Sequence, residues 1–209
     1  MTTTRQEHWE TVYRNKRPDS VSWYQPHLQA SLQLLERAGL TERSRIIDVG
    51  GGASTLVDDL LSRGLRHPSV LDISARSLAV SKTRLGKHAE HVEWIEADIT
   101  HAQLPAHCYD LWHDRAVFHF LTTADERRCY VQTMIAALKP TGQVIMATFS
   151  HQGPPRCSGL EVVRYSPSTL QAELGNDFQL IEHLDEAHRT PFQTVQHFVY
   201  CRFRKIPAS

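Results

Sequence analysis

The sequence predicts an α/β fold: a doubly wound, mostly parallel sheet with helices on both faces. Three observations carry the prediction. Short apolar runs alternate with segments of helical periodicity from about residue 45 to residue 149, as strands joined by crossover helices do. One run, Ile46-Ile47-Asp48-Val49, passes directly into Gly50-Gly51-Gly52-Ala53-Ser54 and then an amphipathic segment, which reads as a buried strand, a tight turn and a helix start. Gly50, Asp72, Asp98 and Asp114 each stand just after the end of a strand. Right-handed crossovers bring those ends to one edge of the sheet, where ligands bind.

Taken in order, residues 5–15 put Trp9, Val12 and Tyr13 on one face of a short helix. Pro18-Asp19-Ser20 breaks it, and Val21-Ser22-Trp23-Tyr24 is an extended or turning piece stopped by Pro26. Residues 27–38 carry Leu28, Leu32 and Leu35 at helical spacing, with Gly39 as C-cap. Strand 45–49 leads to a helix at about 54–63 closed by Gly64. Strand 69–73 leads to a helix at about 75–86, N-capped by Ser74. Strand 92–95 ends at the Asp98 turn, and residues 109–113 form the fourth strand. A helix from Thr123 or Asp125 to Leu138 is stopped by Lys139-Pro140-Thr141-Gly142, and strand 144–149 follows. Residues 150–166 read as a loop. Residues 167–174 read as a helix with Ser166 as N-cap and Pro167 at its first position. The runs 178–183 and 196–203 alternate as strands do.

A chain of 209 residues suits one domain with a sizeable core. Residues 1–40 are expected to form a helical N-terminal lid, 41–150 the ligand-binding core, and 151–209 the C-terminal part of the sheet with a substrate loop. Lys+Arg and Asp+Glu both number 23, so no net field draws the chain to nucleic acid or a membrane surface. No apolar run approaches the ~20 residues of a membrane span, and no signal peptide opens the sequence. Cys108, Cys129, Cys157 and Cys201 are scattered without Cys-x-x-Cys spacing, which argues against a zinc site and a disulfide framework. The expected compartment is reducing and cytoplasmic. His101, His107, His113 and His119 recur every six residues, which is not metal-ligand spacing, so no metal is expected.

The glycine turn is a ligand site in waiting: without Cβ atoms its backbone can lie against a ligand, beside the N–H groups of the helix start. Asp72 ends the strand Val70-Leu71-Asp72 and lies 20 positions after Gly52, the separation at which an acid meets ribose hydroxyls in nucleoside-binding α/β folds. A nicotinamide-type fingerprint wants glycine where Thr55 stands. Asp48, just before the glycines, would repel a pyrophosphate and suits a ligand with a positive end.

Asp48-x-Gly50-x-Gly52-x-Ser54, then Asp72, then Ala97-Asp98-Ile99 resembles the signature of class I S-adenosylmethionine (SAM)-dependent methyltransferases of the small single-domain type. The likeness continues through Asp110-Leu111-Trp112-His113-Asp114-Arg115 and Leu138-Lys139-Pro140-x-Gly142. It implies a Rossmann-like methyltransferase fold, a seven-stranded sheet completed by an antiparallel C-terminal hairpin. It implies SAM as cofactor and S-adenosylhomocysteine as product. By the same resemblance, Asp48, Gly50, Gly51, Gly52 and Ser54 would hold the methionine part. Asp72 and Ile73 would hold the ribose, Asp98 and Ile99 would flank the adenine, and Asp114 and Arg115 would complete the edge. The Trp9-x-x-x-Tyr13 pair with Trp23 also resembles the N-terminal segment of methyltransferases that modify lysines of elongation factors, whose aromatics touch SAM.

The acceptor is expected where the fourth strand, the loop after the fifth and the N-terminal aromatics meet, at Tyr24, His119 and Cys157. His119 is either a general base, its imidazole poised near neutral pH, or a structural histidine within Phe118-His119-Phe120. A small-molecule acceptor is expected, of thiol, chalcogenide or metalloid type by overall resemblance to small bacterial detoxifying methyltransferases. A protein lysine side chain and a non-catalytic SAM-binding module are the alternatives.

Overall fold

The computed structural model describes residues 4–207. Helix α1 (Arg5–Asn15) opens on a capping box between Thr4 and Glu7, and α2 is Gln29–Arg37. Then come β1 (Ile46–Val49), α3 (Leu56–Ser62), β2 (Ser69–Asp72), α4 (Ala75–Leu85) and β3 (Glu93–Glu96). β4 (Tyr109–Arg115) precedes α5 (Ala124–Ala137) and β5 (Leu138–Phe149). A small hairpin, β6 (Arg156–Cys157) and β7 (Leu160–Glu161), leads to α6 (Pro167–Leu174), β8 (Phe178–Arg189) and β9 (Val195–Lys205). Ser74, Thr123 and Ser166 cap α4, α5 and α6 through their side-chain oxygens, each satisfying an amide left open at a helix start.

Seven strands form one sheet in the order β3-β2-β1-β4-β5-β9-β8. β1 pairs in parallel with β2 and β4, β3 with β2 and β5 with β4. β9 lies antiparallel to β5 and β8. The strand order reverses between β1 and β4, so a crevice opens above their C-terminal ends.

β1 and β2 are buried along their whole length, as central parallel strands covered on both faces must be. Alternate residues of β5 feed two core clusters: Val144 and Met146 pack with Trp112, Tyr130 and Leu170, while Ile145 and Ala147 pack with Leu32, Leu35, Leu56 and Leu60. No helix of the described residues is long and apolar enough to cross a membrane.

Two details depart from the sequence reading. β5 starts at Leu138, so Lys139-Pro140-Thr141-Gly142 lies within the strand instead of before it. The pairing runs from Tyr109↔Leu138 to Leu111↔Gln143 with a register shift between. Pro140 and Thr141 are exposed there, where the missing proline N–H takes no bond from the ladder. The loop expected over 150–166 contains the β6–β7 hairpin, turned by Ser158 and Gly159, both at positive φ.

The turn after β4 is fixed by Asp114. Its Oδ1 accepts from Val117 N at 2.9 Å, and its Oδ2 accepts from Phe118 N at 3.1 Å and Tyr130 Oη at 2.6 Å. Tyr130 Oη in turn accepts from Trp112 Nε1 at 2.8 Å. All three side chains are fully buried. Tyr130→Phe would leave the buried Trp112 indole N–H without a partner and take one of two donors from the buried Asp114 Oδ2, so unfolding in urea should show a loss of roughly 1–3 kcal/mol.

Candidate functional site

A cleft lies over the C-terminal ends of β1, β2 and β4, roofed by α1 and the segment that follows it. It consists of two adjoining cavities that share Tyr13, Trp23, Gly50 and Arg115. The first brings together Arg5, Trp9, Asp72, Ile73, Asp98, Ile99, Val117, Phe120, Leu121 and Cys157. The second brings together Tyr24, Gln25, Asp48, Gly51, Ser54 and Thr55.

The floor is the glycine turn. Gly50 has φ +71°, and a Cβ there would drive into the Val117 side chain. A Cβ on Gly51 would overlap the Asp48 carboxylate. Gly52 donates its N–H to Asp72 Oδ2 at 3.0 Å, and its carbonyl accepts from Ser81 Oγ at 2.5 Å. Asp72 Oδ1 accepts from Ser74 N at 2.9 Å. Burial pushes the Asp72 carboxyl up to about 6, against the pull of its hydrogen-bond donors Ser74, Ser77 and Gly52. Asp98 Oδ1 accepts from Thr100 N at 2.9 Å and Thr100 Oγ1 at 2.7 Å.

Aromatic rings form one wall. Trp9 meets Phe120 at 5.1 Å and Trp23 at 5.8 Å, both edge-on, and Tyr13 at 6.4 Å. Polar anchors hold α1 across the cleft: Arg5 pairs with Asp98 and Glu126, and Glu10 accepts from Ser74 Oγ at 2.9 Å and Arg76 N at 3.1 Å. Only Val12 of α1 is fully buried.

Three buried polar atoms around the second cavity have no hydrogen-bond partner: Asp48 Oδ2, Gln25 Oε1 and Arg115 Nη2. Arg115 Nη2 still pairs loosely with Glu186 Oε2 at 3.8 Å, and the rest of the guanidinium is hydrogen-bonded. Nε donates to Tyr200 Oη at 2.8 Å and Nη1 to the Trp23 carbonyl at 2.9 Å, and the group lies over Phe198 at 4.7 Å.

Three residues expected at the site lie elsewhere. His119 is fully buried, and its Nδ1 accepts from Phe149 N at 3.3 Å. It packs edge-on to Phe120 and against Phe149. Burial, helped by Arg115, pushes its imidazole down to about 3. It lines neither cavity. Asp114 is likewise shut in, spent on the turn and on Tyr130. Gly52 packs under the turn against Ser77 instead of facing the cleft. Cys157 does face it, as a neutral thiol that burial raises to about 11. The sequence reading missed Arg5, Gln25, Val117, Phe120 and Leu121. The last three lie in the turn that Asp114 organises, where apolar residues directly follow a strand-end acid.

A family model described as a methyltransferase domain matches residues 46–142. No curated protein matches the chain. Solved structures resemble it closely in fold. One was solved in connection with the conversion of a disulfide bond into a thioacetal group during echinomycin biosynthesis. It has TM-score 0.80 and 18% identity, over 99% of this chain and 93% of that one. Another is the 1,6-didemethyltoxoflavin-N1-methyltransferase of Burkholderia thailandensis, with S-adenosylhomocysteine bound. It has TM-score 0.73 and 19% identity, over 96% and 87%. A third is the N-methyltransferase NodS of Bradyrhizobium japonicum, with TM-score 0.68 and 18% identity, over 85% and 95%. At such identities the likeness is one of fold. Residues 46–142 thus match a methyltransferase domain, and the fold is shared with methyltransferases solved with S-adenosylhomocysteine bound.

The Asp72 carboxyl makes a pH test. Its folded pKa, raised from 3.8 to about 6, means that the folded chain holds this proton more tightly than the unfolded chain. Its stabilising contribution is therefore present below about pH 4 and lost as pH rises through 6. The melting temperature of the native chain should fall relative to that of Asp72→Asn between pH 4 and pH 7, and a pH-independent difference would count against it.

Proposed function

We propose that the chain methylates a small molecule whose acceptor atom brings its own nucleophilic lone pair, a thiol, chalcogenide or metalloid. The observation that carries this reading is the distribution of polarity in the cleft. The first cavity sets Arg5, Asp72, Asp98 and Arg115 beside Trp9, Trp23, Phe120 and Cys157, and the adjoining cavity shares Arg115 and Trp23 and adds Asp48.

The residues fit the cofactor. The unpartnered Asp48 Oδ2 and Gln25 Oε1 would accept from the α-ammonium of SAM, and Arg115 Nη2 would meet its carboxylate. Asp72 would hold the ribose, and Asp98, Ile99, Val117 and Leu121 the adenine. Bound SAM supplies a methyl group already activated by its sulfonium. The protein is left to exclude water and align the acceptor for in-line attack. Trp9, Tyr13 and Trp23 would do the first, and Tyr24, Phe120 and Cys157 the second.

Among the described residues lining the first cavity, the only carboxylates are Asp72 and Asp98, and there is no histidine. An acceptor that is already nucleophilic, such as a thiolate, needs no base there. The sulfur chemistry of the echinomycin relative agrees with that reading. A nitrogen of a planar heterocycle is the second reading, favoured by the aromatic wall and by the two N-methyltransferase relatives.

Transfer from labelled SAM to a panel of thiols, selenide, heterocyclic amines and protein extract separates these readings. Label appearing only in protein would favour the lysine alternative, and no turnover on any acceptor would favour a binding module. On the best small acceptor, His119→Ala should lower kcat less than about tenfold, whereas loss of a general base costs ~10²–10⁴.

The segment up to residue 40 is proposed as the lid. Its first helix is held by ion pairs and hydrogen bonds more than by apolar burial, so it can open without exposing the core. Protease cleavage between residues 14 and 22 should slow when S-adenosylhomocysteine is added. Equal rates with and without it would argue for a fixed roof.

A further inference from the structure

We propose that His113 is a positioning residue for the amino-acid end of the cofactor, holding Asp48 so that one carboxylate oxygen stays free for the α-ammonium. The proposal rests on the methyl-transfer reading above. Asp48 on β1 and His113 on β4 are register partners on neighbouring strands, and their side chains meet. His113 Nδ1 lies 2.7 Å from Asp48 Oδ1, and His113 Nε2 lies 2.9 Å from Ser31 Oγ. Asp48 is 2% exposed, His113 1% and Ser31 0%. An ionised carboxylate only accepts, so Nδ1 carries the proton of that bond. Nε2 of the neutral ring then accepts from the Ser31 hydroxyl.

This chain of bonds decides where the second oxygen goes. With Oδ1 committed to the imidazole, Oδ2 is buried without a partner and lies against Gly51, where any Cβ would collide with it. Asp48, Gly51 and Gln25 together border the second cavity. A buried carboxylate that lost its one donor would turn or take up a proton. Either change removes the acceptor that a cationic group needs. Ser31 sits on α2, and the segment leading into that helix supplies Val21, Trp23, Tyr24, Gln25 and Leu28 to the cavity wall. The imidazole thus ties floor and wall of the ammonium pocket together. The adenosine end, around Asp72 and Asp98, has no bond to it.

The test exploits two amides that each mimic half of the ring. Asparagine at 113 can keep a donor at the Nδ1 position toward Asp48. Glutamine reaches toward Ser31 and leaves Asp48 without its donor. Two ligands are titrated calorimetrically into the full-length chain: S-adenosylhomocysteine, which has the amino-acid end, and 5′-methylthioadenosine, which lacks it. His113→Gln should weaken S-adenosylhomocysteine about tenfold, the scale of one charge-assisted hydrogen bond, and leave 5′-methylthioadenosine within about twofold. His113→Asn should retain both affinities within about threefold. Parallel loss of both ligands in His113→Gln would make the residue merely structural and overturn the proposal. So would unchanged S-adenosylhomocysteine affinity, or an Asn variant no better than Gln. If the native chain binds neither ligand, the methyl-transfer reading itself falls, a result distinct from the other three.

Discussion

The glycine turn has no room for another carbon, and the rest of the site follows from that. Each of the three glycines is met by a different neighbour: Val117 from the turn after β4, Asp48 from β1, and Ser77 with Asp72 from α4 and β2. A side chain at any one of them would push apart elements brought together from separate parts of the sequence. Because the turn is this tight, β1, β2 and β4 can end at one level, with their acids and Arg115 around one crevice. Overpacking a site of this kind costs on the order of 1–3 kcal/mol; here it would also displace the groups that face the ligand.

Charge in the site is handled by depth. Asp72 and Asp114 are both deeply buried carboxyls, and burial raises both to about 6. They differ in what surrounds them. Asp72 borders the cleft, while Asp114 is enclosed by Tyr130 and two backbone amides and serves only to shape the turn that carries Val117, Phe120 and Leu121. Two acids at equivalent strand ends thus do different work.

That difference marks where sequence reading stops. The strands and helices of the parallel core were legible because each has its own period and its own punctuation, as at Ser74 or Gly64. The edge of the sheet was legible because strand polarity fixes which ends meet. The burial of His119 was not, since it depends on Phe149, thirty residues away and paired to another strand. Nor was the fate of Asp114, whose partner Tyr130 sits on the next helix. The Asp48–His113–Ser31 chain links residues 65 and 82 positions apart, and no local pattern encodes it. Pro140 misled for the opposite reason: its local signal to stop was real, but a bulge at an exposed position absorbed it.

That bulge has a practical side. Pro140 and Thr141 project from the N-terminal end of β5, on the rim of the sheet facing away from the cleft. The ladder is already interrupted there, and the backbone is exposed, which is where added residues disturb a fold least. A short peptide handle or a fluorophore attachment site between Pro140 and Thr141 would label the protein while leaving both termini and the cleft untouched. The position is thus a natural port for immobilising the protein.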